Sequence, residues 1–172
     1  MARTASAASS PDADGRSGRG PLVRALRERP GFLIRRLHQI HLALFATECA
    51  GEAVTPVQFS LLTALEEMDA IEQTALGHAI GLDRTSTADV LDRLQQRGLV
   101  KRKVSAQDRR RKTVCLTRSG RATVARVKAA VDRAHKRTIE ALPPEDQARF
   151  LDYLVRLVEE NNDIGRALLK LV

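Results

Sequence analysis

Apolar residues recur along this chain mostly at helical spacing and alternate in only one stretch. After Pro30-Gly31 they fall at Leu33, Leu37, Ile40 and Leu44, steps of four, three and four that place them on one helical face. A second stripe runs beside it through Ile34, His38, His41 and Phe45, and Gly51 closes the helix. Thr55-Pro56 opens the next, with Thr as N-cap and Pro at the first helical position. Val57, Leu61 and Leu65, flanked by Phe59 and Leu62, give that helix a buried face. A short third helix is expected over about Glu72 to Ile80 and a fourth from about Arg84 to Arg97, where Gly98 takes the C-cap position. Residues 99–104 and 112–116 are β-branched or alternating and flank a polar stretch from Ser105 to Arg111, the pattern of a hairpin. Helix resumes near Thr117 and reaches about Glu140. Pro143-Pro144 breaks it, and a last helix is expected from Pro144 to about Lys170 through Phe150, Leu151, Leu154, Leu157 and Val158. Four helices, a hairpin and two helices make the chain mainly α with a small β-hairpin.

Within that order, Gln73 to Leu94 reads as a helix-turn-helix. Gly81 stands at the turn, where a left-handed backbone is needed and glycine adopts it without steric cost. Leu76, Ile80, Leu82, Val90, Leu91 and Leu94 would form the small core that fixes the interhelical angle, and Gly77 is small where two backbones approach. Asp83 is a good N-cap. It leaves Arg84, Thr85 and Ser86 in the first turn of the second helix, side chains suited to the edge of a major groove, with Asp89 and Arg93 further along. A plain helical hairpin would share this pattern. The segment that follows argues for DNA: from Asp83 to Lys112 there are ten Lys or Arg against four Asp, and Arg109, Arg110, Arg111 and Lys112 fall on the hairpin tip. A charged hairpin directly after a helix-turn-helix suits a wing that meets phosphates or the minor groove better than a merely solvated face.

Composition narrows the rest. Of 172 residues, 43% are apolar but only 3% aromatic, so the core is aliphatic. The net charge of +8 points to an anionic partner, nucleic acid or membrane. No apolar run approaches the roughly 20 residues of a membrane span. Met1 to Gly20 lacks the apolar block of a secretory signal and reads as a disordered tail. Cys49 and Cys115 stand far apart without a CxxC pattern, so no disulfide framework is expected and a reducing cytoplasm is the default. No phosphate loop, nucleophile elbow or metal-hydrolase motif is present; an enzyme is not expected, nor a cofactor.

Two segments, LDRTSTADVLDRLQQRGLVKR (Leu82 to Arg102) and DRRRKTVCLT (Asp108 to Thr117), resemble the MarR family of bacterial transcriptional regulators. The second carries the family's Asp-x-Arg-x-x-x-Val wing pattern at Asp108, Arg110 and Val114, followed by Leu-Thr-x-x-Gly from Leu116 to Gly120. The resemblance covers about residues 31 to 170. It implies a winged helix-turn-helix whose N- and C-terminal helices pair two chains into a homodimer. Arg110 would enter the minor groove, Asp108 would hold the wing, and the two-fold axis would demand a palindromic operator in double-stranded DNA. On that plan residues 1–20 are a tail, 21–52 an N-terminal dimerisation helix, 53–118 the DNA-binding lobe and 119–172 the C-terminal dimerisation helices. The usual role is repression relieved by a small molecule. The opening RPGFLIRRLHQIHLALF (Arg29 to Phe45) is similar to the subgroup that answers aromatic acids or their CoA thioesters, and the absence of Trp disfavours urate.

His38 and His41, bracketed by Ile34 and Phe45, are expected to line a partly buried surface where an imidazole meets the carboxylate or carbonyl of an anionic aromatic effector. Satisfied interface histidines fit the pattern as well. Phe59 and Thr63, four apart, would supply an aromatic wall and a hydroxyl, or else be core. Metal binding would need more ligands than His38, His41 and Glu48, since His78 and His135 belong to other elements. Cys49 as an oxidant sensor would need a basic neighbour, and Glu48 and Glu52 push the wrong way; Cys115 is expected to be buried and inert. The rival to an effector-controlled repressor is an architectural or redox-responsive DNA-binding protein without a small-molecule effector.

Overall fold

Helical periodicity and its punctuation become seven α-helices, three strands and a terminal 3-10 turn among the described residues. The structure, a computed structural model, describes residues 23–104, 112–165 and 167–169, without the side chains of Arg24, Val104 and Lys112. In order these are α1 (Arg24–Arg27), α2 (Pro30–Glu48), α3 (Pro56–Met68), β1 (Ala70–Glu72), α4 (Gln73–Ala79), α5 (Arg84–Gln96), β2 (Val100–Val104), β3 (Lys112–Leu116), α6 (Arg118–Ile139), α7 (Pro144–Glu160) and a 3-10 turn (Asn162–Ile164). The chain parts into two compact units, Met1–Arg35 and Arg36–Val172. In the first, the Arg35 guanidinium lies 5.4 Å above the Phe32 ring.

The second unit holds the winged helix-turn-helix. A three-stranded antiparallel sheet in the order β1-β3-β2 backs α3, α4 and α5. Ile71 and Arg102 both pair with Val114, so the central strand sends Val114 and Leu116 into the core. Leu61, Leu62, Leu65, Leu76, Leu91, Leu94, Leu99, Val100 and Val124 complete that aliphatic core. A smaller cluster of Phe45, Cys49, Val127, Val131 and Ala134 joins α2 to α6, and Phe59 packs against both.

Several details depart from the expected plan. The sheet has a third strand, β1, because Ala70, Ile71 and Glu72 extend along β3 before α4 begins at Gln73. The last helix ends at Glu160, ten residues early. Asn161 leaves helical geometry there, and the chain then turns back so that the Asn162 amide accepts from and donates to the Leu169 backbone at 2.8 and 2.7 Å. Val57, expected on a buried face, is 41% exposed. The short α1 had no counterpart in the expected order.

Candidate DNA-binding and effector sites

The geometry of the DNA-facing helix follows from three local devices. Thr55 caps α3 through a reciprocal box with Gln58, holding the helix that the lobe is built on. Gly81 turns the chain at φ +66, as the turn demands. Asp83 then caps α5: Oδ1 accepts from the Ser86 amide at 2.9 Å and Oδ2 from the Ser86 hydroxyl at 2.7 Å. The Ser86 backbone hydrogen bond, helped by the hydroxyl, lowers the Asp83 carboxyl below its ordinary range. Where α4 crosses α5, a Cβ on Gly77 would lie 2.6 Å from Thr87 Oγ1. Thr87 is buried, and its hydroxyl donates to the Asp83 carbonyl at 2.8 Å.

With the inner face of α5 fixed by Thr87, Leu91 and Leu94, and Val90 packed against the same core, the opposite face turns outward. Arg84, Thr85, Asp89 and Arg93 are exposed, so the helix offers two cations, a hydroxyl and a carboxylate on a rigid support. Ser86 is half-buried with its proton held by Asp83, leaving only its lone pairs for a base edge. Arg102 on β2 is the residue that sequence reasoning missed. Its guanidinium binds Asp92, Gln95 at 3.2 Å and the Ala88 carbonyl at 3.4 Å, locking the wing strand to α5. Strand alternation carries the signal, since Arg102 shares a side with Val100 while Lys101 and Lys103 point outward. Asp108, Arg109, Arg110 and Arg111 lie outside the described residues, as does the side chain of Lys112.

The wing returns to α6 through Leu116-Thr117-Arg118-Ser119-Gly120. Thr117 caps α6 by accepting from the Gly120 amide at 3.0 Å, while its own hydroxyl donates to the Gly98 carbonyl at 2.7 Å. Gly120 is required for this approach, because a Cβ there would stand 2.1 Å from the Leu99 carbonyl oxygen.

At the other candidate site, α2 and α6 are tied by ion pairs. Glu48 binds Arg133 at 2.8 Å and Arg137 at 2.7 Å, and Glu52 chelates Arg126 at 3.0 Å. The Arg133 and Arg137 hydrogen bonds lower the Glu48 carboxyl and commit it, so it is no free metal ligand. Among the described residues no His, Cys, Asp and Glu side chains gather three together in a metal-holding group.

The two histidines of α2 part company. His38 is exposed rather than set in a partly buried surface, because its stripe rolls away from α6 one turn before His41. His41 is half-buried, with Nδ1 2.9 Å from Thr138 Oγ1 and its ring edge-on to Phe45 at 6.3 Å. His135, which the sequence placed on a separate element, stacks on His41 at 4.9 Å. The buried stripe of α6 pointed there: His135 and Thr138 each follow a buried residue, Val131 and Ala134, by one helical turn. Burial, then His135, then His38 push the His41 imidazole down from its ordinary pKa. Phe59 is half-buried beneath this cluster's core, and the Thr63 hydroxyl one turn on is enclosed with no hydrogen-bond partner among the described residues.

Neither cysteine suits redox sensing. Both are free and buried, and burial raises the Cys49 thiol, with Glu48 and Glu52 adding to it against Arg133.

Comparison with known proteins agrees with this architecture. The model of the MarR family matches residues 54–112. Transcriptional regulator HosA of Escherichia coli O127:H6 is 30% identical over 134 residues, 78% of this chain and 98% of HosA. Among solved structures, the PcaV transcriptional regulator from Streptomyces coelicolor in complex with its natural ligand superposes with a TM-score of 0.74. It is 33% identical over 81% of this chain and 98% of PcaV. The transcriptional repressor CouR bound to a 23-mer DNA duplex gives a TM-score of 0.75 at 31% identity, covering 81% of this chain and 99% of CouR.

Proposed function

This chain belongs to the MarR family of transcriptional regulators, and from that premise we propose a homodimeric, sequence-specific repressor, acting in the cytoplasm, that a small aromatic acid or its CoA thioester releases from a palindromic operator. The observation that carries the DNA half is the outward row Arg84, Thr85, Asp89 and Arg93 on a helix locked at both ends, by Asp83 and by Arg102. Thr85 and Ser86 would read base edges. Arg84, Arg93 and the wing residues Arg109, Arg110, Arg111 and Lys112 would hold phosphates or the minor groove, with Asp108 bracing the wing. That CouR was solved on a DNA duplex supports the reading.

For the effector half, the supporting observation is an enclosed hydroxyl at Thr63, one turn from Phe59 and without a hydrogen-bond partner among the described residues, together with the half-buried imidazole of His41. A buried polar group left unpaired costs about 1–3 kcal/mol, which a ligand hydrogen bond would recover. PcaV was solved with its natural ligand, which supports a ligand-controlled regulator here. His38, exposed in one chain, would act only at the edge of such a site.

Fluorescence polarisation on duplexes from upstream of the chain's own gene, titrated with aromatic acids and acyl-CoA esters, tests both halves. Saturable, sequence-dependent binding reversed by one such compound is the expected result. Binding that ignores sequence and every compound would instead favour the architectural reading. The His38→Ala/His41→Ala double variant should still bind DNA but lose release; undiminished release would make the histidines structural.

A further inference from the structure

The chain after α7 does more than end a helix. The Asn162 side-chain carbonyl accepts from the Leu169 amide at 2.8 Å, and its NH2 donates to the Leu169 carbonyl at 2.7 Å. This reciprocal pair closes a loop and presents the Leu169 side chain to the helix-turn-helix. Its Cγ and two methyl carbons stand 3.5, 3.9 and 3.9 Å from where a Cβ on Gly81 would be. Those are ordinary contact distances, so Gly81 is a glycine for its positive φ and not to make room for the leucine. The same leucine walls an apolar groove with Leu154, Val155 and Val158, which sets it between α7 and the turn.

That turn is weakly held from within. Its backbone hydrogen bonds from Ile80 to Gly77 and from Gly81 to His78 are long, at 3.3 and 3.4 Å, while that from Leu82 to Gly77 is 2.9 Å. Asp83 begins α5 two residues after Gly81, so the turn sets the angle of the helix. On the inner side α5 rests on α4 where Thr87 meets Gly77, and on the outer side Leu169 covers Gly81. We infer that Leu169, held by Asn162, is a positioning residue for α5: by packing on Gly81 it fixes the turn, and through it the placement of Thr85 and Ser86 on base edges. The inference rests on the proposed DNA-reading role of α5. Leu169 acts at second hand. At Asp163, Gly165 and Leu168 its segment stands off from Thr74, His78 and Arg84 across a gap of about 370 Å³. Thr85, Asp89 and Arg93 do not line that gap, so the segment sits beside the outward row of α5 and leaves its reading side uncovered. A side chain that supports a reading helix from behind governs discrimination between sequences more than attraction to phosphate.

Three full-length variants test this. Leu169→Ala removes the contact. Asn162→Asp keeps the leucine but replaces the donating NH2 with a carboxylate oxygen that repels the Leu169 carbonyl. Leu169→Met restores an apolar side chain of similar volume. In native-state hydrogen exchange, the hydrogen-bonded amides of Leu82, Ser86 and Thr87 should exchange severalfold faster in the first two variants and at the parent rate in Leu169→Met. Fluorescence polarisation then compares a duplex from upstream of the chain's own gene with its scrambled counterpart. In the first two variants the preference for the former should fall about fivefold or more, the worth of one base contact, with Leu169→Met retaining it. Affinity for the scrambled duplex and sedimentation should stay at parent values, whereas a merely structural leucine would lower both affinities alike. Parent exchange rates in Leu169→Ala overturn the inference whatever the DNA does. Faster exchange with undiminished preference would leave Leu169 a stabiliser of the turn and overturn its positioning role. A loss of preference that comes with altered sedimentation would overturn it too, by moving the effect to chain pairing. A parent protein that prefers neither duplex would instead remove the DNA-reading role of α5, and the inference with it.

Discussion

A methyl group on Gly77 would have to share space with Thr87 Oγ1 at 2.6 Å and the Leu82 carbonyl oxygen at 3.0 Å. Thr87 cannot swing aside without giving up its bond to the Asp83 carbonyl, so Gly77→Ala should force α4 and α5 apart. Overpacking of this kind costs about 1–3 kcal/mol, to be read as a lower urea midpoint with an unchanged slope. Thr87→Ala beside it should recover part of the loss, and an undiminished midpoint in the single variant would show that the crossing is looser than drawn. His41 carries a second residue-scale expectation. Its folded pKa lies below the ordinary 6.5, so the unfolded chain binds more protons in the interval between the two values. Its contribution is therefore full above pH 6.5 and is lost progressively as the pH falls below it. Thermal melts from pH 7.5 to 5.5 should fall for the parent and fall less for His41→Phe; parallel curves would mean that the imidazole does not titrate against burial. The close approach at Gly77 and the Asp83 cap were both legible in residue type and spacing. The His41–His135 stack was not, because it joins residues 94 positions apart and only the packing of α2 on α6 brings them together.

At the scale of elements, recognition helix and wing should fail in different ways. Changing Thr85, exposed in the first turn of α5, should shift base preference by about 1–3 kcal/mol per contact while leaving binding to unrelated sequences unchanged. Arg110→Ala should weaken binding to every sequence alike and reduce the salt slope by about one. Titrations on specific and scrambled duplexes at several salt concentrations separate the two, and an unchanged slope for Arg110→Ala would refute the wing assignment. Arg102→Ala should disturb both at once, since that side chain couples β2 to α5 through Asp92, Gln95 and Ala88. Helix periods, caps and the hairpin were legible because each is written within a few neighbouring residues. β1 was not: three residues, Ala70 to Glu72, carry too short an alternation to announce a strand, and β3 alone makes them one. The early end of α7 was hidden for a related reason. The apolar spacing continues through Ile164 and Leu168, while the stop comes from a side-chain clasp between Asn162 and Leu169.

For the whole molecule, the decisive feature is a helix that nothing among the described residues fully covers. No residue of α7 is buried, yet Leu151, Val155, Leu157 and Val158 are apolar and each about half exposed. Leu151, Val155 and Val158 follow one another by four and three residues, which makes a stripe rather than a scatter. Contiguous apolar surface of this sort is the mark of an interface, and burying each such side chain contributes up to about 1.5–3 kcal/mol. Pairing with a second copy would remove it from water, and it would also set the distance between two recognition helices, which a palindromic operator requires. Leu151→Asp with Val158→Asp would place two carboxylates on the stripe of each protomer and four in the paired interface. Sedimentation of the parent at micromolar concentration should give twice the 19.0 kDa chain mass, and the double variant should give the chain mass itself. Neither substitution touches the buried residues of the winged lobe, so the variant should keep its helical circular dichroism. Its affinity for a single half-site should match the parent, while affinity for the full palindrome collapses toward that value. A double variant that still sediments as a dimer would move the interface off α7, and with it the proposed spacing of the recognition helices.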